Sequence, residues 1–239
     1  MTESRSPIGA SLARQVLLTV TPWLAGRPFD QLAVLDIGCG FGATAIALSQ
    51  SCRHVVGLEP MAGMAEAARN AATSCANVDI VHADILNWNS DARFDLVVLD
   101  NVYEHVHDHQ MLLTQVVRFL KPSGVFYIVV PNKLWPIEVH YGLPFLSYLP
   151  LRFANLYLRA AHRGEDYTWA SFAPTYWSIH RDLRAFPQLE YAFTLPADLS
   201  LTESGASPIY RFGAWLIAKN AKFWALSKAF VVIGRRREL

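Results

Sequence analysis

Three glycines at alternate positions, Gly38, Gly40 and Gly42, follow the strand-like series Val34-Leu35-Asp36-Ile37 and run directly into the helix-forming series Ala43 to Ser49. Glycine lets a backbone take unusual dihedrals and lie flat against a ligand, so the turn suits a small molecule laid over a strand's carboxyl end. Spacing alone leaves that molecule open. Read as Gly38-x-Gly40-x-x-Ala43, the turn satisfies a dinucleotide fingerprint, and Glu59 lies where a carboxylate could accept from both hydroxyls of a ribose. Asp36 argues the other way. Two residues before the first glycine, its carboxylate would repel a pyrophosphate but suits a ligand bearing an ammonium and a sulfonium. Further on, Asp100-Asn101-Val102-Tyr103-Glu104-His105-Val106 closes another strand, and His105 has the pKa range of a general base near neutrality.

The elements that must position these groups alternate. Strands are expected at Leu32 to Ile37, His54 to Leu58, Val78 to Val81, Asp95 to Leu99 and Val125 to Val130, with helices Met61 to Thr73 and Met111 to Leu120 among them, the latter capped by Asp108. Residues 1 to 10 read as flexible and Ser11 to Leu24 as a leading helix with Leu12, Val16, Leu17 and Val20 on one face. Thr175 to Phe186 is a further helix, with Leu189 to Phe193 and Ala229 to Gly234 as the last strands. The fold class is α/β, a parallel sheet with helices on both faces.

Between the fifth strand and the next helix the rhythm breaks. Five prolines, Pro131, Pro136, Pro144, Pro150 and Pro174, punctuate an aromatic segment too apolar for a linker, so residues 132–174 read as an insert acting as lid or substrate pocket on a single domain of residues 1–239. Leu146 to Arg163 reads as one apolar helix with Arg152, Arg159 and Arg163, the pattern of an interfacial helix or of a buried lid. Arg235-Arg236-Arg237 reads as a solvated tail. A formal net charge of +1 leaves no electrostatic footprint for nucleic acid. Cys39, Cys52 and Cys75 lack metal-type spacing and suit reduced thiols, and the opening residues do not resemble an export leader, so a cytoplasmic chain is expected. At 52% hydrophobic residues, contact with a membrane surface is a further expectation.

Leu35-Asp36-Ile37-Gly38-Cys39-Gly40-Phe41-Gly42 resembles the first motif of class I S-adenosylmethionine-dependent methyltransferases. The resemblance continues in order through Val56-Gly57-Leu58-Glu59, Ala83-Asp84-Ile85, Phe94 to Val98 and Leu120-Lys121-Pro122-Ser123-Gly124. It implies a Rossmann-like, seven-stranded, mostly parallel sheet, with an apolar helical insert after strand 5. It also implies S-adenosylmethionine as cofactor, held by Asp36, Gly38, Gly40, Gly42, Glu59, Asp84, Ile85 and Asp100. In the family the acid matching Asp84 contacts the adenine amino group and the amide matching Ile85 reads the ring. Asp84 as a turn cap and Met61 as adenine contact or core are open alternatives. A few members hold a divalent metal with Glu-x-x-Glu-His; this chain has Asn101-x-x-Glu104-His105, which removes an anionic ligand from a hard-cation site. His107, His109 and His140 could complete a site, but their spacing demands no shared face, and no metal is expected.

The segment Pro131 to Phe145 resembles one found in bacterial methyltransferases of lipid and cell-envelope glycan pathways. It makes Glu138 and His140 pocket candidates, with His140 the rival of His105 as base; either histidine could equally be structural. The reaction implied is methyl transfer, at oxygen, to a small or lipid-linked acceptor of lipid, quinone or glycan type. The alternatives are a nicotinamide-dependent oxidoreductase on a similar sheet and a non-catalytic cofactor-binding scaffold.

Overall fold

A computed structural model describes residues 6–202 and 207–237. Seven strands, β1 (Ala33–Ile37), β2 (His54–Glu59), β3 (Val78–His82), β4 (Phe94–Asp100), β5 (Leu120–Pro131), β6 (Leu189–Thr194) and β7 (Ala229–Arg236), form one sheet in the order β3-β2-β1-β4-β5-β7-β6. β1 to β5 pair in parallel, and β7 runs antiparallel to both β5 and β6. The order reverses between β1 and β4, so the carboxyl ends of these two strands flank the crevice where ligands bind in open α/β sheets.

Both faces are covered because β4 is apolar and buried at every position from Leu96 to Leu99. On β4, Leu96 and Val98 join one core with α1 (Ser6–Val20) and α2 (Ala43–Ser49), while Val97 and Leu99 join the other with α4 (His109–Phe119), α6 (Tyr176–Arg184) and α7 (Pro208–Lys219). α3 (Ala62–Ala71) follows β2. Truncating a strand residue such as Leu96 to alanine would cost about 2–5 kcal/mol. At the opposite end of β4, the Asp95 carboxylate accepts from the Ala33 amide and pairs with Arg27 and Lys121 at 3.0 and 2.8 Å.

Four local expectations are corrected. The leading helix starts at Ser6 and ends at Val20, so residues 6–10 are helical, and the expected flexibility of residues 1–5 lies outside the described residues. The single helix expected from Leu146 to Arg163 is a 3-10 turn, Leu146–Tyr148, followed by α5 (Leu151–Ala160). Pro150 explains the break, since it forces the preceding Leu149 into extended backbone. β5 begins at Leu120, before Pro122. The arginine tail is partly strand: Arg235 pairs with Glu190, and the Arg236 guanidinium donates to the Val117 and Leu120 carbonyls at the end of α4.

The segment between β5 and α6 has an apolar cluster of its own, built from Leu143, Leu146, Ala154, Leu158, Tyr167 and Ala170. No helix among the described residues is long and apolar enough to cross a membrane.

Candidate active site

Parallel register places the acids of the first two strands at one edge, with Asp36 beside Gly57 and Glu59 beside His82 of β3. Gly38 and Gly40 have φ of +69° and +57°, in the left-handed region that side chains disfavour. A Cβ at Gly38 would lie 2.5 Å from Val102 Cγ2, so the loop after β4 packs directly on the turn; above Gly40 the space is open. Glu59 is buried and bridges the turn, its Oε2 accepting from the Gly40 amide and its Oε1 from the Met61 amide, both at 2.9 Å. α1 lies over the same turn, and a cavity of about 280 Å³ opens between them, lined by Ile8, Leu12, Phe41 and Thr44.

Asp36 is buried at 3% exposure, and its Oδ2 has no hydrogen-bond partner among the described residues. Burial, then the Asp100 and Glu59 carboxylates, push its pKa up to about 8. Burial pushes half-buried Asp100 to about 6, although its Oδ1 accepts from Asn101 Nδ2 at 3.1 Å. Three carboxylates with no cation among them are unfavourable when empty and favourable around a positive ligand. Asp84 is exposed and its Oδ1 caps a turn by accepting from the Leu86 amide, while Ile85 is buried next to it. Met61 is exposed, which removes the core reading of its side chain.

A second polar cluster forms where the loop after β4 meets the segment between β5 and α6. Tyr103 is fully buried and donates to Asp182 Oδ2 at 3.1 Å; His109 Nδ1 lies 3.4 Å from the same oxygen, which pins the loop to α6. This fixes Glu104 inward. Its carboxylate is completely buried, neither oxygen has a hydrogen-bond partner among the described residues, and burial pushes its pKa up to about 7.

Two imidazoles face Glu104. His105 Nδ1 lies 2.8 Å from the Trp169 carbonyl, and His140 Nδ1 lies 2.7 Å from Glu138 Oε1. Both partners are acceptors, so each Nδ1 carries the proton and each Nε2 of the neutral rings presents a lone pair. The two Nε2 atoms each sit 3.8 Å from Glu104 Oε1. Burial lowers the His105 pKa and favours the neutral ring. Glu138 is buried, and its Oε2 accepts from the His140 and Tyr141 amides. Trp169 stacks on His105 and meets His140 edge-on, with centroids at 4.7 and 5.0 Å.

The structure thus brings His105 and His140 together, while His109 sits with Tyr103 and His107 against Phe172. Trp169 carries no motif; only its place in the aromatic insert pointed to it. Asn101 turns to Asp100, and the ligating atoms of Glu104, His105 and His140 lie within 4.8 Å of one another. A buried carboxylate beside two imidazole lone pairs is a donor set that fits a divalent cation.

Residues 35–128 match the family model described as a methyltransferase domain. Over these residues the match supports a class I S-adenosylmethionine-dependent methyltransferase domain. This methyltransferase domain is 31% identical over 111 residues to the ubiquinone biosynthesis O-methyltransferase of Bartonella tribocorum, a match covering 45% of this chain and 44% of that protein. It is 36% identical over 113 residues to the trans-aconitate 2-methyltransferase of Azoarcus sp., covering 46% and 44%. The matches therefore span less than half the length of either relative. The fold extends further than the sequence likeness. The plantazolicin methyltransferase BpumL, solved with a monoazolic desmethylPZN analog and SAH, superimposes with a TM-score of 0.62 at 16% identity over 98% of this chain and 86% of that one. The YcgJ protein of Bacillus subtilis gives 0.59 at 18% identity over 93% and 98%.

Proposed function

We propose that the chain is an enzyme that transfers the methyl group of S-adenosylmethionine to an oxygen of a small or lipid-linked acceptor. The observation that carries this is the buried Asp36 carboxylate, whose Oδ2 has no hydrogen-bond partner among the described residues, beside Asp100 and Glu59 at the end of the sheet where the order reverses. Such a pocket repels a pyrophosphate and attracts an ammonium and a sulfonium. In this reading Asp36 and Asp100 face the charged methionine end of the donor. The backbone of Gly38, Gly40 and Gly42 lies against it, and the remaining lone pairs of Glu59 accept from the ribose hydroxyls. Asp84 and the Ile85 amide take the adenine.

The sulfonium already activates the methyl. The acceptor oxygen attacks the methyl carbon, the carbon–sulfur bond breaks with its electron pair going to sulfur, and the acceptor's proton must leave. In the metal-free chain His105 and His140, whose Nε2 lone pairs lie 3.8 Å from Glu104 Oε1, are the candidate catalytic residues for that proton. Orientation and exclusion of water supply the rest, which suits residues 132–174 as lid or acceptor pocket. The names of the relatives, a ubiquinone-pathway and a trans-aconitate methyltransferase, support a small-molecule acceptor. The exposed apolar residues of α5, flanked by arginines, favour a lipid-linked one reached at a membrane surface.

Calorimetry with S-adenosylhomocysteine and, separately, NAD tests the reading. Binding of the first and not the second is expected, with Glu59→Ala weakening it about 10- to 100-fold through loss of one or two charge-assisted hydrogen bonds. Retention of NAD alone overturns it.

A further inference from the structure

We propose that Glu104, His105 and His140 form a binding site for one divalent transition ion of the zinc or cobalt type, and that magnesium is discriminated against. The argument is one of matching donors to acceptors. Three side chains converge, and every atom they turn toward one another is an acceptor: both Nε2 lone pairs, because each Nδ1 proton is committed to an oxygen, and the Glu104 carboxylate. Among the described residues the two imidazoles are the only ion-pairing neighbours of that fully buried carboxylate, and neither of its oxygens is hydrogen-bonded. A proton shared between Glu104 and one ring does not satisfy this geometry, since 3.8 Å is well beyond an O–H···N hydrogen bond. A central cation does. Two donors about 2.1 Å from a tetrahedral ion are about 3.4 Å apart, so the observed separation needs a contraction of about 0.4 Å.

The donor set decides the class of ion. Two imidazole nitrogens and one carboxylate suit zinc, cobalt, nickel or ferrous iron, whereas magnesium asks for near-octahedral oxygen ligands. Asn101, whose Nδ2 donates to Asp100, brings no anionic oxygen to harden the site. Glu138 acts one step back as a positioning residue: it holds the His140 proton on Nδ1 and fixes the ring so that Nε2 faces Glu104. Because His140 belongs to the insert and Glu104 and His105 to the loop after β4, an ion here also staples one to the other. Three protein ligands leave a position open. Its use to hold the acceptor oxygen rests on the proposed methyl transfer; the binding of the ion does not.

The test is isothermal titration of the chelator-treated full chain with Zn²⁺, Co²⁺ and Mg²⁺, each alone, with S-adenosylhomocysteine titrated separately. One zinc or cobalt ion per chain is expected, bound at least about 100-fold more tightly than magnesium, and the cobalt form should absorb in the visible. Glu104→Gln and His140→Ala should each weaken zinc at least about 100-fold, and Glu138→Gln about 10- to 100-fold. Without metal, Glu104→Gln should melt no lower than the unaltered chain, because it removes an unpaired buried charge, which separates loss of the site from loss of the fold. No stoichiometric uptake, magnesium as tight as zinc, or uptake indifferent to Glu104→Gln and His140→Ala overturns the proposal. Zinc bound by a chain that ignores S-adenosylhomocysteine leaves the metal site standing and overturns the reading of function.

Discussion

The glycine turn and the His105–His140 cluster both hold a buried carboxylate oxygen that lacks a hydrogen-bond partner among the described residues, yet they are assembled in opposite ways. Asp36, the three glycines and Glu59 sit on two adjacent parallel strands and the turn between strand and helix, where register fixes every position. Glu104, His105 and His140 come from a loop and an irregular insert, and each imidazole is aimed by an acceptor on the insert, the Trp169 carbonyl or Glu138. Charge is stored by the sheet in the first region and by side-chain hydrogen bonds in the second. Changes at the first should therefore strike the fold and the donor together. Changes at the second should leave donor binding intact.

The sharpest way to break that contrast is Gly38→Ala. The substitution forces a side chain into φ +69° and sets its Cβ 2.5 Å from Val102 Cγ2. A cost of about 2–4 kcal/mol is expected from the backbone strain and the overpacking together, along with loss of S-adenosylhomocysteine binding. Chemical denaturation and calorimetry check it; a fully stable variant that still binds would mean the loop after β4 does not rest on the turn.

Asp36→Asn gives a smaller effect with two opposite signs. Its carboxyl pKa is about 8 in the folded chain against an ordinary value near 3.8, so between those limits the folded state binds the extra proton. Stability of the empty chain then falls as pH rises from about 4 to about 8 and levels off above, with Asp100 adding to the slope up to about 6. Removing the charge should stabilise the empty chain at pH 8.5 by roughly 2–4 kcal/mol, leave it little changed near pH 4, and weaken the cationic donor about 10- to 100-fold. Denaturation at the two pH values and titration with S-adenosylmethionine check both signs. A variant less stable than the parent at pH 8.5 would show that Asp36 already has a partner.

The same contrast explains what could be read from the chain alone. A strand, a glycine turn and a helix are written in consecutive residues, so the sheet and the acids at its edge follow from local pattern. Asp84 was ambiguous because an exposed carboxylate that caps a turn has the same spacing as one that meets a ligand. The second cluster depends on folding back: Glu138 accepts the His140 and Tyr141 amides, and an Ile137–Pro144 bridge closes that loop. His107 and His109, nearer to His105 in sequence, are directed elsewhere by Phe172 and by Tyr103 with Asp182. No periodicity encodes such a return. Boundary errors have the same origin, since Pro150 splits a run that reads as one helix and Arg236 finds the carbonyls at the end of α4.

α5 supplies the mildest test, because its outer face contributes little to either region. Phe153 and Leu156, three residues apart on α5, are exposed, with exposed Leu149 just before the helix, and Arg152 lies over the Phe153 ring with Arg159 and Arg163 exposed close by. Apolar groups beside guanidinium groups complement an anionic bilayer surface, where burial of the apolar side chains and attraction of the arginines add. The double substitution Phe153→Ser with Leu156→Ser should shift stability by no more than about 0.5 kcal/mol and leave S-adenosylhomocysteine and zinc binding unchanged. Co-sedimentation with anionic vesicles at low salt should fall about tenfold, and the arginine contribution should fade as salt is raised. Should the unaltered chain itself fail to co-sediment, the membrane leaves the account and the acceptor must reach the insert from solution.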